Sequence, residues 1–245
     1  MKETWKVAIL GGIIGAAAVV AVEVAASAAG LLPIASDARL HRYLMGHPGV
    51  VFEMAAKAQA DQASQETAAR QKVIDKLGQK AFFDPAIAYV TGPANAKNTF
   101  VEFFDYNCIH CRNSFAAVKR FYLAHKNDTR FAFIEFPING EASTMAARAA
   151  IAARAQGDKY LALHFALMGE TEAIEPALLQ ADLKKAGIDM SKLTTDMATP
   201  AVDKALVGAR KLASETQVSG TPSFILNGQF HDGEVTDADF KKLNK

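Results

Sequence analysis

The stretch "FVEFFDYNCIHC", residues 100–111, holds both cysteines of this 245-residue chain. Its first half is aromatic and β-branched around one glutamate, which is typical of a buried β-strand. Cys108 and Cys111 follow where we expect that strand to pass into a helix. The sequence therefore places both thiols in a single C-x-x-C pair, and its surroundings decide what that pair does.

Composition excludes one broad class of partner. The chain has 50% hydrophobic and 22% charged residues with a formal net charge of +1, which is an ordinary globular balance. Its length is sufficient for one well-cored domain and an accessory element. Because no broad basic field is available to bind phosphates, nucleic acid is not expected as a partner.

Residues 1–32 are predicted to be a signal peptide or a membrane anchor. Lys2 and Lys6 precede an uncharged apolar run at 7–22, and small residues at 26–28 fit a cleavage pattern. The run is also nearly long enough to span a bilayer, so cleavage and anchoring remain alternatives. A third alternative is that the run forms a buried helix of the folded domain. Both export hypotheses place the remainder in an oxidising compartment, where a cysteine pair can form a disulfide.

Residues 33–81 are predicted to form a helical segment ahead of the main domain. Ser36–Gln79 has helical character, and Pro48 suits the first turn of a second helix. Its apolar positions form a narrow stripe at helical spacing: Val51, Met54, Ala58, Ala69, Val73 and Leu77. Such a stripe suits a helix that packs against copies of itself or forms a stalk; the alternative is a solvated helix lying on the main domain.

The second domain is predicted to span residues 82–245 and to be of the α/β class. A short strand is expected at Ala86–Val90. The strand Thr99–Phe104, the helix Cys108–Lys126 and the strand Thr129–Phe136 then make a β-α-β unit. Because such a crossover joins parallel strands, we expect these two strands to be parallel neighbours.

Downstream, the sequence predicts a helical insertion and a closing hairpin. Residues 141–217 contain no convincing strand and break into helices at glycines and prolines. The strand Ser223–Leu226 is followed by an Asn-Gly turn signal and a second short strand, Gln229–His231. Asp237–Leu243 is predicted to close the domain as a helix.

The position of the cysteines favours a reacting pair. Cys108 falls at or just before the first helical turn, where free backbone N–H groups and the helix dipole stabilise a thiolate. A thiolate is the form that attacks disulfides. Cys111 lies three residues on, on the same helix face and less exposed, so it is placed to resolve a mixed disulfide from within.

The pair has two other possible uses, as metal ligands or as a structural disulfide. A zinc site usually takes four ligands, whereas the chain has only two cysteines. A structural disulfide that closes so small a loop contributes little through loop entropy. A metal-handling (copper or zinc) or adaptor protein that uses the thiols as soft ligands remains the alternative function.

Two stretches of the sequence resemble one family. "FVEFFDYNCIHC" resembles the active-site run of DsbA-like thioredoxin-fold proteins, and "VSGTPSFILNG", residues 218–228, resembles their second signature, a threonine before a cis-proline. The resemblance covers about residues 85–245. Upstream, "RYLMGHPGVVFEMA" resembles the N-terminal region of ScsC-type members, some of which oligomerise through it.

The resemblance implies a thioredoxin fold with an inserted helical domain at about 141–217. It implies a redox-active disulfide between Cys108 and Cys111. It also implies that Pro222 is cis and that the backbone of Thr221 binds an extended substrate chain beside the cysteines.

Two more residues enter as candidate catalytic groups. A histidine at His110 can stabilise the Cys108 thiolate and lower its pKa, and its alternative role is a solvent-facing helix residue. A carboxyl at Glu102, amid apolar residues of a strand, should have a raised pKa; the alternative is a glutamate that faces water from a sheet edge. By resemblance, Glu102 relays a proton to or from Cys111.

The implied function is an exported thiol–disulfide oxidoreductase, with isomerase and oxidase both open. No metal or organic cofactor is required. The implied partners are unfolded or misdisulfided exported proteins, a membrane redox partner that reduces or oxidises the pair, and further copies of the chain, with a trimer favoured. The implied location is periplasmic or extracytoplasmic, either soluble after cleavage or tethered by the N-terminal helix.

Overall fold

The computed structural model describes residues 34–243, with side chains from residue 39 to residue 241. Its helices are α1 (Ile34–Gly46), α2 (Gly49–Leu77), α3 (Ile109–His125), α4 (Glu141–Ala153), α5 (Lys159–Met168), α6 (Pro176–Lys185), α7 (Met190–Met197), α8 (Pro200–Glu215) and α9 (Asp237–Leu243). Its strands are β1 (Tyr89–Thr91), β2 (Asn98–Phe104), β3 (Thr129–Glu135), β4 (Ser223–Leu226) and β5 (Gln229–Asp232). The predicted signal or anchor segment, residues 1–32, lies outside the described residues.

The strands form one five-stranded sheet in the order β1-β3-β2-β4-β5. β2 and β3 are parallel, as the predicted β-α-β unit requires, and the other neighbours are antiparallel. β4 and β5 form the predicted hairpin. The strand that leads into the cysteines is therefore central, with β3 on one side and β4 on the other.

The alternation of β2 separates two apolar layers. Phe100 and Phe104 belong to the same buried cluster as both cysteines and the helices of the insertion. Val101 and Phe103 belong to the cluster on the opposite face. Because side chains alternate along a strand, Glu102 points to the face that carries the cysteines.

The predicted helical block between β3 and β4 is confirmed and consists of α4 to α8. A buried polar group joins this insertion to the end of β3. Tyr160 donates a hydrogen bond to Glu135 at 2.8 Å, and Arg154 forms an ion pair with the other oxygen of the same carboxylate. Removal of one partner from a buried ion pair is strongly destabilising. This group therefore fixes the helical insertion to the end of β3.

The first strand lies slightly later than the sequence predicts. The expected strand was Ala86–Val90, whereas β1 is Tyr89–Thr91. The backbone N–H groups of Ile87 and Ala88 both donate to the carbonyl of Asp84, at 2.9 Å each. This local turn occupies the donors that an earlier start of the strand would need.

The chain divides into two compact units, residues 1–64 and 65–245. The second unit thus begins within α2. The sequence predicts its start further downstream, at residue 82. The side chain of Gln71 donates to the carbonyl of Gly228 at 2.7 Å and accepts from the N–H of Phe230 at 2.9 Å. These bonds satisfy a carbonyl of the β4–β5 turn and an N–H of the edge strand β5, which would otherwise be open to pairing with another chain.

The described part of the first unit is helical, as predicted. α1 and α2 are separated at His47 and Pro48, and the His47 ring stacks on Tyr43 with centroids 4.4 Å apart. Large apolar side chains lie exposed along it: Leu40, Tyr43, Met45, Val51, Phe52 and Met54. Within residues 34–243, none of the helices combines the length and apolar character needed to cross a bilayer.

Candidate active site

Cys108 occupies the N-cap position of α3. It has extended backbone angles, and the helix begins at the next residue. Its side chain is largely covered, with 8% of the residue exposed, and Cys111 is fully buried in the first turn. Both cysteines are free thiols, so the structure describes the reduced pair. The predicted arrangement of one outer and one inner sulfur is present.

The two thiols are strongly unequal. A hydrogen bond from Cys111, helped by the Thr221 side chain and by the backbone N–H groups of Cys111 and His110, lowers the pKa of Cys108 to about 5, against the effect of burial. Burial, together with the neighbouring Cys108, raises the pKa of Cys111 above its usual range. At neutral pH the outer sulfur is therefore a thiolate and the inner one a thiol. Disulfide exchange needs this difference, with one sulfur that attacks and one that resolves the mixed disulfide.

The loop before β4 closes over Cys108. The Thr221–Pro222 peptide bond is cis, as the resemblance implies. When it carries its proton, the Cys108 thiol donates to the carbonyl oxygen of Thr221 at 3.1 Å. Thr221 and Pro222 are thus brought beside the cysteine from a point more than one hundred residues away along the chain.

Glu102 lies beneath the pair, at the centre of β2. It is 1% exposed, so the alternative of a water-facing edge position is wrong. Burial raises the pKa of Glu102 to about 8, and its charge contributes to the raised pKa of Cys111. One carboxyl oxygen, Oε2, has no hydrogen-bond partner among the described residues. The side chain is therefore a protonatable group poised on the inner side of the site.

His110 has a principal partner that the sequence did not indicate. Its Nδ1 lies 2.6 Å from Oε1 of Glu234, in the loop between β5 and α9. The hydrogen bond to Glu234 raises the pKa of His110. The groups that lower the pKa of Cys108 include the backbone N–H of His110. A role for the imidazole in that lowering stays a prediction.

Two polar residues shape the turn between β2 and α3. The Asp105 carboxylate accepts hydrogen bonds from the N–H groups of Asn107 at 2.8 Å, Ile138 at 2.7 Å and Asn139 at 2.9 Å. The Asn107 side chain accepts from the N–H of Ile174, in the insertion, at 2.7 Å. Neither residue was predicted as part of the site, although Asp and Asn before a helix are a common turn signal.

Metal ligands do not gather elsewhere in the part of the chain that the structure describes. Between residues 34 and 243, no group of three or more histidine, cysteine, aspartate or glutamate side chains is arranged to hold an ion. For these residues, the metal-handling alternative rests on the two thiols by themselves.

A family profile described as thioredoxin matches residues 87–245, which is more than half of the chain. The chain belongs to the thioredoxin family. A thioredoxin-like oxidoreductase from Silicibacter pomeroyi DSS-3 is 36% identical, with a TM-score of 0.63 over 68% of this chain and 95% of that one. The chain is therefore a relative of thioredoxin-like oxidoreductases, and the predicted DsbA-like thioredoxin fold is confirmed.

Two further similarities concern larger parts of the chain. A variant of ScsC from Proteus mirabilis shares the fold, with 19% identity and a TM-score of 0.65 over 85% of this chain and 93% of that one. The Na(+)/H(+) antiporter NhaA 3 of Salinispora tropica is 29% identical over 187 residues. That match covers 75% of this chain but only 28% of the antiporter.

Proposed function

We propose that this chain is an exported thiol–disulfide oxidoreductase that exchanges disulfides with protein substrates through Cys108 and Cys111. One observation carries the proposal: a helix-capping cysteine whose pKa is lowered to about 5 lies over a buried cysteine whose pKa is raised. The Thr221 carbonyl, 3.1 Å from the outer sulfur, supports it because it offers a backbone acceptor beside the reacting atom.

In the reducing direction, exchange takes two displacements. The Cys108 thiolate attacks one sulfur of a substrate disulfide, so that a mixed disulfide forms and the other substrate sulfur leaves as a thiolate. Cys111 then loses its proton and attacks Cys108. The second substrate thiolate departs, the Cys108–Cys111 disulfide forms, and two electrons have passed to the substrate. The reverse sequence oxidises a substrate dithiol.

Glu102 is assigned the proton transfer of the second displacement. Cys111 has a raised pKa and is fully buried, so it needs an acceptor for its proton within the protein. Glu102 is the buried acid whose charge acts on Cys111. With a pKa of about 8, Glu102 can change protonation state near neutral pH.

The substrates are proposed to be unfolded or misdisulfided exported proteins. An extended chain can pair with the backbone of Thr221 next to Pro222, while exposed Ile109, at 59%, offers an apolar contact beside Cys108. Isomerase or oxidase activity then depends on a membrane redox partner that keeps the pair reduced or oxidised. A periplasmic or extracytoplasmic location is supported by the predicted signal or anchor in residues 1–32 and by the proposed substrates, since protein disulfides persist in oxidising compartments.

The function is tested by disulfide exchange on model substrates. We expect the protein to catalyse reduction of insulin by glutathione and to restore activity to scrambled ribonuclease. A Cys108→Ser/Cys111→Ser double variant should retain only the uncatalysed rate in both assays. If the wild-type protein is no faster than the double variant, the metal-handling or adaptor alternative becomes the better account.

The helices of the first unit are proposed to make the protein a homo-oligomer, with a trimer favoured by resemblance to ScsC-type proteins. Phe52 and Met54 at the start of α2 are 75% and 63% exposed, and Leu40 and Met45 on α1 are also exposed. We infer that these exposed apolar side chains belong to an interface. Self-association would remove them from water on every copy at once.

Charged substitutions on this surface should dissociate the oligomer. We expect light scattering on the exported chain to give a mass about three times that of the monomer. Phe52→Glu together with Met54→Glu should bring it to the monomer mass, because the interface would then contain unpaired buried carboxylates. Gln59→Glu, an exposed position on the same helix, serves as the matched control and should keep the oligomer. A monomeric wild-type mass at micromolar concentration would overturn the proposal.

A further inference from the structure

Glu234 is attached to the first turns of the active-site helix. Its Oε1 accepts a hydrogen bond from Nδ1 of His110 at 2.6 Å and another from Nδ2 of Asn113 at 2.8 Å. The two donors lie three residues apart and so share one face of α3. One carboxylate oxygen thus binds two adjacent side chains at the end of the helix that carries Cys108.

The backbone holds Glu234 in this place from both sides. The N–H of Gly233 donates to the carbonyl of Pro222 at 3.0 Å, and Gly233 has a φ of 83°, which favours glycine. The N–H of Val235 donates to the Ser114 hydroxyl on α3 at 3.0 Å. The loop that carries Glu234 is therefore fastened to the cis-proline segment before it and to the active-site helix after it.

We propose that Glu234 is a positioning residue for disulfide exchange, which acts through His110 and sets the charge that Cys108 meets at the start of α3. The proposal rests on the proposed function, since it concerns the same pair of cysteines. The loop after β5 would then influence the equilibrium between the reduced and the disulfide form of the cysteine pair, besides connecting β5 to α9.

The sign of the effect follows from the charged groups that face His110. These are the Glu234 carboxylate and the Cys108 thiolate, and both raise the pKa of the imidazole. With Glu234 present, the ring keeps its proton to a higher pH, and the imidazolium favours the thiolate of the reduced pair over the neutral disulfide. Without the carboxylate, the imidazole loses its proton at a lower pH, and between the two titrations the reduced pair loses a stabilising charge.

The size of the effect is limited by exposure. The side chains of His110 and Glu234 are 62% and 42% exposed, so water and salt screen the interaction. Exposed ion pairs change an equilibrium by a small factor, and we expect about two- to fivefold here.

The test measures the equilibrium of the Cys108–Cys111 disulfide with glutathione at several pH values. At pH 8, Glu234→Gln should make the protein a weaker oxidant by about two- to fivefold. As the pH is lowered until the imidazole holds its proton in both proteins, that decrease should vanish. In a His110→Ala background, Glu234→Gln should produce no decrease at any pH, because the ring through which it acts is gone. Asp237→Asn, which removes a nearby carboxylate paired with Arg120, is the matched control and should leave the equilibrium unchanged.

A direct readout of the imidazole keeps the test independent of exchange activity. NMR titration of the His110 ring should move to lower pH in Glu234→Gln. An unmoved titration, or an equal decrease in the glutathione equilibrium with and without the His110 ring, overturns the role of Glu234. The result could also be that the NMR titration differs between wild type and Glu234→Gln while the wild-type protein never exchanges with glutathione. That result counts against the proposed function and leaves the Glu234–His110 coupling standing.

Discussion

Replacement of Cys111 by alanine should trap mixed disulfides between Cys108 and protein substrates, whereas replacement of Cys108 by alanine should trap none. Cys108 caps the helix and has a pKa lowered to about 5, so it remains an attacking thiolate when Cys111 is absent. Cys111 is fully buried and holds its proton, so it is a poor attacking group when Cys108 is absent. The effect is close to all-or-none because resolution, the step that releases the substrate, needs the second thiol.

Trapping is measured by alkylation of free thiols followed by non-reducing gels and mass spectrometry of the higher-mass species. Bands that collapse on reduction should accumulate only in Cys111→Ala, and the double variant provides the background. Accumulation in Cys108→Ala alone would reverse the assignment of attacking and resolving thiols. In Cys111→Ala the hydrogen bond from the inner thiol is lost, so the Cys108 pKa should rise while staying below its ordinary value through the Thr221 side chain and backbone donors.

Replacement of Glu102 by glutamine should remove a large pH dependence of stability. The carboxyl has a pKa of about 8 in the folded protein against an ordinary 4.5, so the folded state binds the proton more tightly than the unfolded chain does. The free energy of unfolding must then fall as pH rises from about 4.5 to about 8. The full difference corresponds to about 5 kcal/mol. Glutamine cannot ionise, so this fall should be absent from the variant.

The measurement is chemical denaturation of wild type and Glu102→Gln at pH 5, 7 and 8.5. The quantity compared is the change with pH, because the buried amide carries its own cost that does not depend on pH. Cys108, whose folded pKa is lowered, works in the opposite direction between about pH 5 and pH 9, and it cancels in the comparison because both proteins contain it. Exposed Glu172→Gln is the matched control and should keep the wild-type pH dependence. Parallel curves for wild type and Glu102→Gln would show that the carboxyl titrates normally.

Much of the site could be predicted because the relevant signals are local. The aromatic and β-branched residues of β2 and the C-x-x-C lie within one short stretch, and their order predicts a strand followed by a helix that presents Cys108 first. The burial of Glu102 follows from the same pattern, since a glutamate among aromatic residues of a central strand has apolar neighbours on its face. The parallel pairing of β2 and β3 follows from the helix between them.

Other features of the site join positions that are far apart in the chain. His110 and Glu234 are separated by 124 residues, and Cys108 and Thr221 by 113. The exposed ends of a histidine and a loop glutamate carry no pattern that would pair them in advance. The bonds from Gln71 to the β4–β5 hairpin likewise join positions more than 150 residues apart.

By itself, therefore, the amino-acid sequence determined the α/β class, the strand that leads into the cysteines and the helix that begins beside Cys108, because short-range periodicity and residue type encode each of them. Only the tertiary structure decided which carboxylate the His110 ring binds and how the Glu135–Arg154–Tyr160 group ties the helical insertion to β3. Those contacts arise when the sheet brings β4, β5 and the insertion against β2 and α3, and a hydrogen bond exists only once its two partners lie within about 3 Å of each other.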